Sequence, residues 1–494
     1  MRAAGRAGHH TFFWVILLLI LGIGVFFRLY GLGDRDLWTD EAWVALAATQ
    51  PTAPEVLAAG KSTPPLYLLT VWEVGRLLGR SEAALRLTSC LLGIGALLLF
   101  WRLAGRVLPP GGALIALGLA AVSRRWVYFS KELKQYSADL FFAVLVFYLV
   151  ERQLRRQGRG GWLLLTVLMA LGLGFSHPLI FLLPVAAVVL WWELPDSRRE
   201  IYRACGGLAL IFAGYYWFFF RGQVDPELLI YWQADFPVLT SIGDFLWWLG
   251  GAWSRYGRYF FGFWGAPIAL VFLLAGLIYW LKSSRPRIIW YFFGPLLFAL
   301  AAAWAQRYPF MGGAGGVRLM MFSAPMLYLV VAAGIMAVVA LGWRRWKIAG
   351  LILAAVVLIW VQPVMLWREN LHPRANREEI EPLVRYVQTH RRPADLIYVY
   401  YFAIHPFKFY YQGPQEQIVW GASCHERCLP LPPSQLRQIE RVWLIFSHFE
   451  TEEDIERFSR NLLGEDWSRQ FEQRLPGAAL FCYVPAQAMT AASF

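Results

Sequence analysis

The sequence predicts an α-helical polytopic membrane protein of about eleven transmembrane helices, followed by an extracytoplasmic α/β domain. Three observations predict it. Of 494 residues, 58% are hydrophobic and 16% charged, which is more apolar side chain than a water-soluble fold of this length has to bury. Apolar runs approaching the roughly 20 residues that a helix needs to cross a bilayer recur through the first three quarters of the chain. After Trp367 the pattern changes to short buried strands and a helix with acidic residues in its first turn. The 25 Trp and 22 Tyr fit membrane interfaces, and they also fit sugar stacking; composition leaves both open.

The first run, Thr11 to Tyr30, follows Arg2 and Arg6. It is longer than a typical signal-peptide core and lacks a clean small-residue cleavage site, so it is expected to be an uncleaved first helix. The remaining spans are expected at Leu87 to Leu108, Ala113 to Phe129, Ser137 to Val150, Trp162 to Phe175, Leu179 to Trp192, Ala204 to Phe220, Trp264 to Leu281, Ile288 to Trp304, Leu319 to Leu341 and Ile348 to Trp367. The positive-inside rule places the N-terminus in the cytoplasm. The loops then inside carry Arg102 and Arg106; Arg152, Arg155, Arg156 and Arg159; Arg198, Arg199 and Arg203; Lys282, Arg285 and Arg287; and Arg344, Arg345 and Lys347. Counting Pro64 to Gly79 as a further crossing would put the Arg152 and Arg199 loops outside, so it is expected as an amphipathic helix along the outer interface. The short runs flanking Ser176, His177 and Pro178 read as a tight outside hairpin with His177 at its tip.

Residues 1–367 thus form the membrane domain, with 31–86 as its first outer loop, and residues 368–494 form the outer α/β domain. In the latter, Ala394 to Phe402, Arg441 to His448 and Ala478 to Val484 read as strands and Glu452 to Leu463 as a helix. From Trp367 onward the chain holds 14 Lys/Arg against 16 Asp/Glu, so the whole positive excess of the +13 net charge lies among the membrane segments. A nucleic-acid partner would need a basic stripe on the soluble part, and none is expected. Five cysteines are too few and scattered for a disulfide framework. Cys424 and Cys428 could be paired or free, and with His425 they make only a weak metal pattern.

Three outside segments carry polar residues that membrane burial does not require. Asp40 and Glu41 sit side by side in Asp34 to Trp43, where a carboxylate can take a proton from an attacking hydroxyl, bind a metal, or simply open an interfacial helix. Ser123 to Tyr136 breaks the positive-inside rule with Arg124, Arg125, Lys131 and Lys134 around Glu132; a bound anion explains such cations, and snorkelling is the bland alternative. His177 reads as a structural histidine or a phosphate contact. Lys61, Arg307 and Arg318, the last two around Met311 to Gly316, add outside cations. A divalent metal at Asp40, Glu41 and Glu132 is not favoured, because nearby Lys and Arg already supply positive charge, and no required cofactor is expected.

The stretches RLYGLGDRDLWTDEAW, KSTPPLYLLTVWEVGRLLGRSEAALRLTS, VYFSKELKQYSADL and RYPFMGGAGGVRLMMFSAPMLYLV, with the single His177, resemble the GT-C superfamily of membrane glycosyltransferases. Within it they are similar to the branch of protein O-mannosyltransferases and lipid A aminoarabinose transferases. The resemblance implies a glycosyltransferase with a polyprenyl-phosphate sugar donor and a glycan, lipid or protein acceptor, working among membrane lipids in a prokaryotic inner or plasma membrane. It implies a catalytic base at Asp40, helped by Glu41 and Glu132, and a donor-phosphate site of Lys61, Lys134, Tyr136, His177 and Arg318. Thr63 stands where many relatives have His, and Lys134 where Arg is more usual. The competing reading is a transporter or lipid flippase, which would place ionisable groups near mid-membrane and Gly or Pro breaks in paired halves.

Overall fold

The computed structural model describes residues 2–60, 62–156, 159–221, 230–238, 240–313, 315–345, 349, 353, 378–422, 431–432, 436, 439–449 and 451–486. Lys61, nearly all of the expected Ile348 to Trp367 span, and Cys424, His425 and Cys428 lie outside these residues. The chain divides into two compact units. One comprises Met1–Tyr30, Gly60–Val74 and Arg86–Asn370; the other comprises Gly31–Ala59, Gly75–Leu85 and Leu371–Phe494.

The first unit is helical. Its elements are α1 (Arg2–Leu29), the parts of α2 (Pro65–Leu78) up to Val74 and of α3 (Glu82–Val107) from Arg86, α4 (Pro110–Ala121), α5 (Arg124–Ser130), α6 (Tyr136–Arg156), α7 (Arg159–Leu173), α8 (Leu179–Glu193) and α9 (Arg198–Tyr215). After α9 come α10 (Ile242–Leu281), α11 (Arg287–Trp304) and, behind a 3-10 stretch at Gly316–Ser323, α12 (Ala324–Arg345). Among the described residues, six helical stretches are long and apolar enough to cross a membrane: Thr11–Leu29, Glu82–Val107, Pro195–Phe220, Ile242–Leu281, Arg287–Trp304 and Gly316–Leu341. Large apolar side chains such as Leu18, Leu210, Trp217 and Trp264 stand exposed on them, a surface that suits lipid and not water. The chain is an integral, multi-pass membrane protein.

Two expected spans differ in detail. Ala113 to Phe129 is broken at Val122 and Ser123, because Ser123 caps a new helix by accepting from the Trp126 N–H, which separates α4 from α5. The span expected from Trp264 belongs to a helix that begins at Ile242 and bends at Gly262, whose φ of 76° is a left-handed conformation that glycine adopts without strain. The 14 residues of α2 reach only about 21 Å at 1.5 Å per residue, short of the roughly 30 Å hydrocarbon core.

Packing between α10 and α12 relies on missing side chains. A Cβ on Gly276 would lie 1.9 Å from the Val330 carbonyl oxygen, and one on Gly334 would lie 1.8 Å from that of Phe272. The two backbones therefore touch, as small residues allow between helices in lipid. Three of the basic loops expected on the cytoplasmic side meet at one end of the unit. The Arg106 carbonyl accepts from Arg155 Nη2 at 2.6 Å and Arg285 Nη1 at 2.8 Å. Beside them Arg287 grips the buried Glu151 through Nε at 2.7 Å and Nη2 at 3.1 Å.

The second unit is built on a five-stranded mixed sheet of β1 (Leu396–Val399), β2 (Ile418–Trp420), β3 (Val442–Ser447), β4 (Trp467–Leu475) and β5 (Ala478–Pro485), in the order β2-β1-β3-β5-β4. β1 runs parallel to β2 and β3, and β5 runs antiparallel to β3 and β4. One face packs Ile397, Val399, Trp443 and Ile445 on the helix Glu381–His390; the other packs Tyr398, Leu444 and Phe446 on the helix Glu452–Leu463. Burial on both faces is why β1, β3 and β5 are unbroken apolar runs in the sequence. The helix Thr39–Ala47 belongs to this unit and packs on Ile404–Tyr410. Thr39 Oγ1 donates to the Phe402 carbonyl at 2.5 Å, and the Leu37 N–H donates to the Tyr410 hydroxyl at 2.7 Å.

Candidate functional site

At the end of the helical unit where α5 meets α6, residues from distant parts of the sequence converge. Lys131 is buried and its Nζ donates to the Tyr30 carbonyl at 3.2 Å, while Arg125 donates from Nε to the Tyr259 carbonyl at 3.1 Å and lies 3.9 Å from that ring. These two of the four unusual cations therefore have structural uses, tying α1, α5 and α10 together.

The remaining groups cluster around Tyr136. The Arg318 guanidinium stands 6.0 Å from the centre of the Tyr136 ring and 5.9 Å from that of Trp232. Glu132 is buried at 1% exposure, and Tyr259 is within electrostatic reach of Arg125, Glu132, Arg318 and Arg124. Tyr308 likewise feels Asp139 and Tyr136. The structure thus brings Glu132, Tyr136 and Arg318 into one neighbourhood of mixed charge and aromatic surface.

Hydrogen bonds tie two more predicted segments to it. The Tyr67 hydroxyl bonds Ser89 Oγ at 2.7 Å, and that hydroxyl donates to the carbonyl of Lys134 at 3.1 Å. The N–H of Leu66, just after the two prolines, donates at 2.8 Å to the carbonyl of Gly174 in the hairpin that carries His177. Next to His177, Ser176 Oγ donates to the buried Asp139 at 2.7 Å. His177 packs edge-on against Phe220 at 4.9 Å, and burial lowers its pKa to about 4. Burial thus keeps the imidazole neutral near pH 7, with one ring nitrogen able to donate a hydrogen bond.

The glycine-rich segment before Arg318 is folded around Asp235, a residue the sequence reading did not single out. The Gly313 N–H donates to Asp235 Oδ1 at 2.5 Å, the Phe310 N–H donates to the Asp235 carbonyl at 3.1 Å, and Arg255 Nε donates to the Met311 carbonyl at 3.1 Å. A Cβ on Gly312 would lie 1.5 Å from Oδ1, and one on Gly316 2.3 Å from Oδ2, so a side chain at either position would displace the Asp235 carboxylate. Burial pushes the Asp235 carboxyl up, against the Gly313 N–H and the Arg255 charge, which pull it down.

In the second unit, Asp40 and Glu41 occupy the first turn of Thr39–Ala47, with Asp40 half-buried and Glu41 fully buried. The flanking tryptophans fix this helix: Trp38 stacks on His448 at 5.8 Å and Trp43 on His405 at 5.4 Å. Among the described residues, no group of three or more His, Cys, Asp or Glu is arranged to hold a metal ion. The sequence reading missed Asp139, Asp235, Trp232, Tyr259 and Tyr308. Only the two aspartates left a signal, each a lone acid beside an aromatic or apolar run.

Comparison with known proteins bears on the fold and on one stretch of the sequence. A sequence profile for the dolichyl-phosphate-mannose-protein mannosyltransferase family matches residues 62–217, the stretch from the prolines of α2 through the His177 hairpin and α9. No curated protein matches the sequence. Among solved structures, ArnT from Cupriavidus metallidurans in the apo state is 13% identical over 97% of this chain and 98% of that one, with a TM-score of 0.52. The same protein bound to undecaprenyl phosphate is 12% identical over 94% of this chain and 97% of that one, also at 0.52. The oligosaccharyltransferase of Archaeoglobus fulgidus, in complex with zinc and sulfate, is 12% identical over 96% of this chain and 73% of that one, again at 0.52. At such identities the likeness is one of fold. The chain is a polytopic membrane protein with the fold of these transferase structures, and its residues 62–217 resemble the dolichyl-phosphate-mannose-protein mannosyltransferase family.

Proposed function

We propose that this chain is an inverting glycosyltransferase that moves a single sugar, a hexose or pentose, from a polyprenyl-phosphate donor to an acceptor hydroxyl on the extracytoplasmic face. The observation that carries the reading is the gathering of Arg318, Tyr136 and Glu132 at one end of a GT-C fold, with the Lys134 and His177 segments hydrogen-bonded into the same region. The matched profile names a dolichyl-phosphate-mannose enzyme, and ArnT has been captured with undecaprenyl phosphate, so a lipid phosphate suits both.

In the proposed reaction the acceptor oxygen attacks the anomeric carbon from the face opposite the phosphate. The bond from that carbon to the phosphate oxygen breaks, the acceptor proton passes to the Asp40 carboxylate, and polyprenyl phosphate leaves. A phosphate leaving group needs no proton, so one base suffices. Lys61, Lys134 and Arg318 stabilise the charge the phosphate gains, with Tyr136 and His177 as hydrogen-bonding partners. Glu41 and Glu132 orient these groups or the acceptor. No metal or other cofactor is required in this scheme. The N-terminus is cytoplasmic, as the meeting of three basic loops at the opposite end of the helical unit supports, and residues 368–494 act outside.

The test is transfer by the purified protein in detergent, where no second compartment exists. Consumption of polyprenyl-phosphate sugar, with release of polyprenyl phosphate and a sugar-sized mass gain on an acceptor from envelope extract, is the expected result. Donor that stays intact in detergent while crossing the bilayer of proteoliposomes would replace the enzyme by a flippase.

A further inference from the structure

Arg318 is the cation best defined in the candidate phosphate site, and its position depends on a segment that has almost no side chains of its own. Residues 311–316 read MGGAGG, and such a chain has little to hold it in one conformation. The structure supplies the restraint from outside. Asp235 is buried at 4% exposure and lies within the curve of this segment. Its Oδ1 accepts the Gly313 N–H, its backbone carbonyl accepts the Phe310 N–H, and its two carboxylate oxygens fill the space where Cβ atoms of Gly312 and Gly316 would be. Arg255 closes the other side through the Met311 carbonyl. Gly316 opens the 3-10 stretch that carries Arg318 two residues on. Trp232, three residues before Asp235, lies against Arg318 itself and 3.2 Å from where a Gly315 Cβ would stand.

Resting on the transferase reading, we infer that Asp235 is a positioning residue for the donor phosphate: its carboxylate moulds the glycine segment and thereby aims the Arg318 guanidinium beside Tyr136. Neither Asp235 nor the glycines touch the substrate. Their effect passes through Arg318 alone, and this makes the inference separable from a general role in folding.

The experiment measures the affinity of the purified full chain in detergent for undecaprenyl phosphate. Asp235→Ala, Asp235→Asn, Arg318→Ala and the Asp235→Ala/Arg318→Ala double variant are compared with the parent. Arg318→Ala is expected to weaken binding about tenfold or more, the range for a charge-assisted bond, and Asp235→Ala to reproduce most of that loss. The double variant is expected to bind no worse than Arg318→Ala, because residues acting through one another are not additive. Asp235→Asn, which keeps an oxygen for the Gly313 N–H, is expected to stay within about threefold of the parent. Gly312→Ala leaves both charges in place but forces a methyl onto Oδ1, and it is expected to lose affinity as Asp235→Ala does; it decides the matter if Asp235→Ala fails to fold.

Unchanged binding in Arg318→Ala would overturn the phosphate site itself. Weakened binding in Arg318→Ala with parental binding in Asp235→Ala or in Gly312→Ala, or fully additive losses in the double variant, would leave that site standing and overturn the role of Asp235.

Discussion

Replacing Asp395 by Ala should loosen the sheet of the second unit far more than an ordinary surface change. The carboxylate is fully buried at the entrance to β1. It accepts from Arg441 Nε at 3.0 Å and Nη2 at 2.6 Å, from the Arg392 N–H at 2.9 Å and from the Trp443 indole at 2.9 Å. Two of these bonds are to a guanidinium, and their loss strands a buried indole N–H and a largely buried positive charge. Removing one partner of a buried ion pair costs about 3–5 kcal/mol. Since about 1.4 kcal/mol is tenfold, protection against hydrogen exchange in β1 and β3 should fall by about 10² to 4 × 10³-fold.

The assay is amide exchange by mass spectrometry on the full chain, reading peptides over Leu396–Val399 and Val442–Ser447. Trp443→Phe, which removes one donor, should cost only about 1 kcal/mol. The pH dependence has a definite sign. Burial alone would raise the Asp395 carboxyl, but Arg441, the Arg392 N–H and Trp443 outweigh it and hold it below its usual range. The contribution is therefore full above about pH 4, where an unfolded Asp is ionised, and is lost as pH falls through the lower folded value. Unchanged protection in Asp395→Ala would refute the claim that this network anchors the sheet.

Other outcomes follow from the same reasoning. Gly334→Leu should force α10 and α12 apart and lower the thermal midpoint of the detergent-purified protein by an amount corresponding to about 3 kcal/mol or more, whereas Leu341→Ala on an exposed turn of α12 should leave it nearly unchanged. Glu151→Gln should destabilise the helical unit by about 2–4 kcal/mol, because Arg287 then faces a neutral amide in place of the buried carboxylate and has Glu193, at 3.2 Å, as its remaining ion-pair partner among the described residues; differential scanning fluorimetry would show it. Asp36 has its pKa raised to about 6 by burial and then by Glu381, Glu82 and Glu379, against the opposing Glu381 N–H. A raised carboxyl favours the fold as pH falls from about 6 toward about 4 and disfavours it above. Asp36→Asn should therefore flatten the pH dependence of limited proteolysis in the second unit across that window.

Much of this architecture was legible in the sequence because lipid and a doubly buried sheet both demand uninterrupted apolar runs. The helix Glu452–Leu463 is found at its expected limits, β1 and β3 lie within the runs that forecast them, and β5 runs one residue beyond its own, to Pro485. β4, with the alternating sequence WSRQFEQRL, was missed because an edge strand buries only part of each side, and β2 because three residues leave too little pattern. The break at Ser123 and the bend at Gly262 were illegible for a different reason: a cap and a left-handed glycine act within runs whose hydrophobicity does not change. Glu132, Tyr136 and Arg318 come from segments that the charge pattern picked out and are found in one neighbourhood, whereas groups placed by backbone shape left no such pattern. Asp235 matters because Gly312, Gly313 and Gly316 leave room for it, a relation between segments far apart in the chain.

On the proposed mechanism, Asp40 acts as base for transfer of a sugar from a lipid phosphate. Turnover of polyprenyl-phosphate sugar by purified Asp40→Asn, measured beside its affinity for undecaprenyl phosphate, tests it most directly. Parental affinity is expected, with turnover reduced by about 10²-fold or more, the usual contribution of a positioned base. Parental turnover in that variant would contradict it.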